Sequence, residues 1–293
     1  MENKKKPGVM MMTNSPEFQR SEARQFLVVK SNALIQNTKF TITRNLGNSL
    51  SLLEQKIILY IISRIKPDDE ELKEQIFDTQ EFCKICGIQA GGDNYNILRE
   101  AIRKLKSRVM WIITDETDTT VSWIDKATIY KRSGKIKIRL DDDLKPYLLH
   151  LSKGFTQYSF HNVIRMKSKY GIALYELLKS YAYQGRAIEF PIDYLKENLD
   201  CVSYENFTNF RNKVLLPALQ DINTYSELFV EVEYLKTGRT YTDIVFYIRN
   251  LENSKSLEDR EEAARRFQKT ETELSQITLD DYLNNPGGLT SGR

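Results

Sequence analysis

Three cysteines and two histidines are all that a chain of 293 residues offers for thiol or imidazole chemistry. An odd, small number of cysteines makes no disulfide framework. Cys83-Lys-Ile-Cys86 has a metal-like spacing, but no second cysteine pair or nearby histidine completes four ligands, so both thiols are read as small packing residues. His150 and His161 never form a His-x-His pair, and the metal-binding signature of rolling-circle nucleases is therefore missing. No Gly-x-x-x-x-Gly-Lys-Ser/Thr occurs, which argues against a phosphate-cradling loop. The longest apolar runs, such as Ile57–Ile62, are too short to span a membrane. The opening Met-Glu-Asn-Lys-Lys-Lys-Pro lacks the apolar core of a signal peptide, so a cytoplasmic location is expected. Excess charge is lacking too, at +3 net. These absences speak against a nucleotide- or metal-dependent enzyme; no catalytic residue and no cofactor is expected. Any binding of a polyanion must rest on local clusters.

What is present centres on residues 203–250. Phe207, Phe210, Val214, Ala218 and Ile222 recur at helical spacing and predict one buried stripe. Asn209, Asn212, Lys213 and Gln220 stand opposite, with Asn206 at the margin; such side chains can hydrogen-bond base edges or phosphates. Ser203 is the expected N-cap, and Pro217 should kink the helix. Two alternating runs follow, Val230/Val232/Tyr234 and Ile244/Phe246/Ile248, joined by Lys236-Thr-Gly-Arg239, a glycine turn with a cation on either side. A helix followed by a basic-tipped hairpin is the winged variant of the helix-turn-helix. The bland alternative is a helix packed on a hairpin with a solvated polar face.

The same plan occurs earlier in the chain. Ser51-Leu-Leu-Glu54 is a capping-box pattern opening a helix over 52–65, and Asp78-Thr-Gln-Glu81 repeats it before a short helix over 80–86. Asp93 could cap a longer helix to about Val109, with Leu98, Ile102, Leu105 and Val109 inward. Arg99, Arg103, Lys104, Lys106 and Arg108 lie on or beside its other face. Strand-like runs follow over 110–114, 121–130 and 135–140, the last two flanking Lys131-Arg132-Ser133-Gly134, another basic glycine turn. Residues 141–152 join the halves, with Asp141-Asp-Asp143 read as a helix cap or solvated linker. A helix over 167–184, with Ala173, Leu174, Leu177, Leu178 and Tyr181 inward, and a short one over 192–199 lead into the stretch already described. The expected fold class is α+β: two tandem winged-helix domains, 31–152 and 153–250. A flexible arm, 1–30, precedes them, and a partly disordered tail, 251–293, follows.

Several blocks carry a resemblance: Phe26-Leu-Val-Val-Lys-Ser-Asn-Ala-Leu-Ile35, Glu54-Gln-Lys-Ile-Ile-Leu-Tyr-Ile-Ile-Ser63, Lys167-Ser-Lys-Tyr-Gly-Ile-Ala-Leu-Tyr-Glu-Leu-Leu178 and Phe210-Arg-Asn-Lys-Val-Leu-Leu-Pro-Ala218. In this order, over roughly 25–250, the chain resembles the iteron-binding replication initiators of theta-replicating bacterial plasmids. The resemblance implies binding of repeated origin DNA (iterons) as a monomer, origin opening, and recruitment of the host replication initiator and replicative helicase. It also implies repression of the initiator's own promoter by a dimer formed through strands of the first domain. By the same resemblance, the helix aligning with residues 204–219 makes the principal base contacts, which assigns Tyr204, Asn206, Asn209, Arg211, Asn212 and Lys213. Arg211 projects toward the apolar side and has to reach around the helix edge. Arg99, Arg103, Lys104 and Lys106 would meet a neighbouring groove or backbone. Lys131, Arg132, Lys236 and Arg239, on the hairpin tips, would meet phosphates. The alternative is a winged-helix transcription repressor without a replication role; a nicking endonuclease or primase is disfavoured by the missing motifs.

Overall fold

The structure, a computed structural model, describes residues 26–40, 50–86, 88, 94–131, 133–184 and 187–251. Most of the arm and tail assigned from sequence, together with Asp93 and Arg132, lie outside the described residues.

The chain opens with strand β1 (Leu27–Ser31), taken from the end of the segment read as an arm, then helix α1 (Asn32–Gln36) and strand β2 (Thr38–Phe40). Helix α2 (Leu52–Ile62) has the expected capping box: Ser51 Oγ accepts from Glu54 N, and the Ser51 N–H donates to the Glu54 carboxylate at 2.7 Å. Strand β3 (Gln75–Asp78) leads into α3 (Thr79–Ile85), whose N-cap Asp78 accepts from Gln80 N and Glu81 N. Helix α4 (Asn94–Ser107) buries Leu98, Ala101, Ile102 and Leu105. Strands β4 (Val109–Ile113), β5 (Asp118–Ser122), β6 (Ile124–Tyr130) and β7 (Lys135–Leu140) follow. They form two three-stranded sheets, ordered β2-β4-β5 and β3-β7-β6, with every pair antiparallel.

Two expectations fail here. Val109, expected on the buried stripe of α4, begins β4 and is exposed, because the helix stops at Ser107. Arg108, expected on the solvent face, is buried and donates to the Glu54 carboxylate at 3.1 Å, tying the end of α4 to the start of α2. An unpaired charge at this depth would cost several kcal/mol, so each residue depends on the other.

The joining segment is ordered. Asp141 caps a 3-10 turn (Asp142–Leu144) by accepting from Asp143 N, helix α5 (Lys145–Leu148) follows, and Leu144 and Leu148 are buried. Strand β8 (Phe155–Ser159) pairs antiparallel with β1, Val29 opposite Gln157. Short helix α6 (His161–Ile164) and long helix α7 (Lys169–Tyr181) come next; Ser168 caps α7 by accepting from Tyr170 N. Leu174, Leu177 and Leu178 are buried as expected, while Ala173 and Tyr181 are half-buried. Strand β9 (Ala187–Pro191), unforeseen from sequence, precedes α8 (Ile192–Asn198).

Helix α7 is packed from both sides. Toward the first half, Lys30 Nζ pairs with Glu176 at 2.7 Å, and Gln36 donates to Ser180 Oγ at 2.9 Å. Gln55 donates to the Lys169 carbonyl at 3.1 Å. Toward the second half, Asp221 accepts from Lys167 N and Ser168 N at 2.8 and 2.6 Å. Glu227 accepts from Tyr175 OH and pairs with Lys179 at 2.6 Å. The approach is close enough to need Gly171: a Cβ there would lie 3.0 Å from Asp221 Cβ. One hydrophobic core therefore runs from Val28 through α7 to Ile248 without a break.

Candidate nucleic-acid interface

The polar-faced helix of the second half starts later than the expected Ser203 cap would place it. The N-cap is Asn206, not Ser203: the Asn206 side chain accepts from Thr208 N and Asn209 N. Helix α9 (Phe207–Phe210), a π turn (Arg211–Leu215) and helix α10 (Leu216–Tyr225) follow without a gap. Pro217 explains the π turn. Proline has no N–H for the i→i−4 ladder, and its ring clashes with the carbonyl four residues back. Widening the preceding turn relieves both problems, and Leu216 N accordingly donates to the Arg211 carbonyl five residues back. The irregularity expected at Pro217 is thus a π turn over the five residues from Arg211 to Leu215.

Despite that turn the inward stripe holds. Phe210, Val214, Ala218 and Ile222 are each fully buried, and Phe207 is half-buried. Thr208, Asn209, Asn212, Lys213 and Gln220 are exposed. Among residues assigned from sequence, Asn209, Asn212 and Lys213 therefore share one open surface in the N-terminal half of the helix. Arg211 is half-buried at its edge and donates to Asn212 Oδ1 at 3.1 Å. It also lies near Tyr234. Burial pushes that phenol's pKa up to about 12, while the Arg211 charge opposes the shift. Asn206 spends its side-chain oxygen on capping and is exposed. Tyr204 precedes the helix, half-buried beside Tyr170 of α7.

Strands β10 (Leu228–Thr237) and β11 (Thr240–Asn250) form the second wing, and β9 pairs with β11 to complete a three-stranded sheet. The turn needs Gly238, whose φ is +65°. Lys236 and Arg239 are exposed at the tip, as expected. The tip is joined to the reading helix through an aromatic cluster. Phe207 stacks on Tyr241 with ring centroids 4.2 Å apart and meets Tyr234 edge-on at 5.4 Å. Lys236 Nζ sits 4.3 Å from the centre of the Tyr241 ring. The ammonium of the wing is thereby positioned relative to the first turn of the helix.

The first half repeats this arrangement. Arg99, Arg103 and Lys106 are exposed on α4 and Lys104 is half-exposed. Arg103 is held by Glu100 of the same helix through bonds of 2.9 and 2.7 Å. The β6–β7 hairpin carries Lys131, exposed, and turns at Gly134 with φ +66°. The Gly134 carbonyl accepts from Thr79 N and Thr79 Oγ1, so this tip is anchored to the start of α3. Further along the hairpin, Lys137 and Arg139 pair with Glu74 and Asp125.

Residues 27–179 match the family described as Initiator Replication protein, WH1, and residues 191–248 match Initiator Rep protein, WH2. The chain belongs to this initiator replication protein family. A curated Escherichia coli relative, named "Replication initiation protein", is 26% identical over 243 residues, covering 79% of this chain and 75% of its own length. A solved structure described as the Pi initiator protein in complex with iteron DNA shares the fold. Its TM-score is 0.64 at 16% identity, covering 78% of this chain and 99% of that one. Two winged-helix domains in an α+β chain are thus established, as expected from sequence. The first match runs on through α7, the helix that packs on both halves.

In this initiator-family chain the cysteines of the Cys-x-x-Cys motif are buried. Burial pushes the Cys86 thiol up to about 12, with nearby Lys56 opposing, and Cys83 is raised by the same cause. Among the described residues, no group of three or more His, Cys, Asp or Glu side chains could hold a metal ion. No helix among them is long and apolar enough to cross a membrane. Sequence reasoning passed over Thr208, exposed beside Asn209, and Lys196 of α8, whose Nζ donates to the Glu205 carbonyl at 3.1 Å just before the reading helix. Thr208 could have been found by continuing the polar face one residue toward the N-terminus. Lys196 carried no signal, because only the fold brings α8 to that loop.

Proposed function

We propose that this protein is a plasmid replication initiator that binds origin iterons as a monomer. It opens nearby AT-rich duplex, recruits the host replication initiator and replicative helicase without catalysis of its own, and as a dimer represses its own promoter. The observation that carries this reading is one arrangement found in both halves: a helix with an exposed polar or basic face beside a hairpin with an exposed cation at its glycine turn. The first winged helix is assigned to residues 31–152 and the second to 153–250, α7 being the long helix of the second. The principal base contacts are assigned to Asn209, Asn212 and Lys213, with Asn206, Arg211 and Tyr204 around them. Arg99, Arg103, Lys104 and Lys106 are assigned to a neighbouring groove, and Lys131, Arg132, Lys236 and Arg239 to phosphates. Dimer formation is supported by the sheet β2-β4-β5, whose central strand exposes Val109 and Trp111.

Footprinting on the DNA that flanks the coding sequence, followed by transformation with origin plus protein, tests this. Protection of tandem repeats beside an AT-rich tract, with replication of the joined plasmid, is expected. Protection of a single palindrome and no replication would leave a plain repressor.

A further inference from the structure

Within the first reading helix, one residue does not suit backbone tracking. Ile97 is 47% exposed in the N-terminal half of α4, among Arg99, Glu100 and Arg103. Its position relative to the buried stripe matches that of Asn209. Ile97 immediately precedes Leu98, the first fully buried residue of α4, just as Asn209 precedes Phe210, the first fully buried residue of the second reading helix. Glu100 stands three residues beyond Ile97, as Asn212 stands three beyond Asn209. In a helix-turn-helix, the N-terminal residues of the recognition helix meet the base edges.

The chemistry of the position is selective. A phosphate gives an isoleucine nothing, whereas the 5-methyl of thymine is the apolar group that base pairs present in the major groove. Glu100 adds to the contrast: held by Arg103 through two bonds, it puts a carboxylate where a helix confined to phosphates would gain from a cation.

We infer that Ile97 is a specificity-determining residue that reads a thymine methyl, so that the first winged helix contributes base recognition as well as backbone contact. This rests on the DNA-binding reading above and deepens it.

The test uses the full chain and a duplex that it selects from a random-sequence pool. Each thymine of that duplex is replaced in turn by deoxyuridine, which removes the methyl alone. One replacement, beneath α4, should weaken binding about fourfold, the value of one buried carbon. Ile97→Ala should weaken binding to the thymine duplex by a similar factor and be indifferent to that replacement. Ile97→Val should restore part of the sensitivity. Parent-like binding by Ile97→Ala, or an equal loss on both duplexes, overturns the inference while the DNA-binding reading stands. Failure to select any duplex overturns both.

Discussion

Replacing Tyr241 by alanine separates the wing from the reading helix without touching any residue assigned to DNA. The ring stacks on Phe207, meets Tyr234 edge-on at 6.2 Å and lies under the Lys236 ammonium. Two aromatic contacts and one part-exposed cation–π contact together contribute roughly 2–3 kcal/mol, which a denaturant midpoint would show. The effect on DNA is separate. If the ring fixes Lys236 for one phosphate, its loss removes one counterion-release contact. That is about fivefold in affinity near 0.15 M salt and roughly 0.9 off the salt slope. Lys236→Ala should produce the same loss, and Tyr241→Phe, which keeps the ring, should produce neither. Titration of both single variants and the double variant across a salt series decides the matter. Because ring and ammonium act through one contact, the double variant should bind like Lys236→Ala alone. Full additivity of the two losses would refute the reasoning.

Other outcomes follow from burial and charge. Asn209→Ala and Lys213→Ala, both at exposed positions, should leave the unfolding midpoint unchanged and weaken specific binding; a lost base contact costs about 1–3 kcal/mol and relaxes one base pair, and parent-like binding by both would remove this helix as the reader. Neutralising Lys131, Arg132, Lys236 and Arg239 together should weaken specific and random duplexes alike and lower the salt slope by roughly 3–4, so an unchanged slope would take the wings out of the interface. Cys83→Ala with Cys86→Ala should cost roughly 1–3 kcal/mol of stability, leave binding intact and release no zinc. Because the Cys86 thiol is pushed up to about 12, it should resist alkylation at pH 8 until the chain is unfolded; rapid labelling of the native protein would contradict its burial.

Local signals were legible where a single element carries them. The buried stripe of the second reading helix, the capping box at Ser51 and both glycine turns follow from spacing and residue type alone, and the structure has each of them. What escaped depends on distant partners. Arg108 looks like a surface cation until Glu54 arrives from another helix. The short strands β1 and β9 have too few residues to show alternation against a background of apolar runs, and they exist because β8 and β11 offer edges. Ser203 and Asn206 are both good caps by type, and only the backbone decides between them. The candidate site residues divide the same way: the exposure of Asn209 and Lys213 follows from the helical period, whereas the contact of Lys196 with the Glu205 carbonyl does not.

Helix α7 also bears on the geometry of the DNA. A helix gripped by Lys30, Gln36 and Gln55 on one flank and by Asp221 and Glu227 on the other should leave little swivel between the two winged helices. If both bind one duplex, the angle between them about its axis should be set by the protein. The DNA, by contrast, turns once in about 10–10.5 base pairs, so one inserted pair rotates everything beyond it by roughly 35°. The protein should therefore measure helical phase as strictly as base sequence. Adding a single pair between the two contacted segments should cost nearly as much as destroying one of them, and a full-turn insertion should not rescue binding, because the reach is as fixed as the angle. Band shifts with such spacer variants would expose any hidden hinge as graded tolerance.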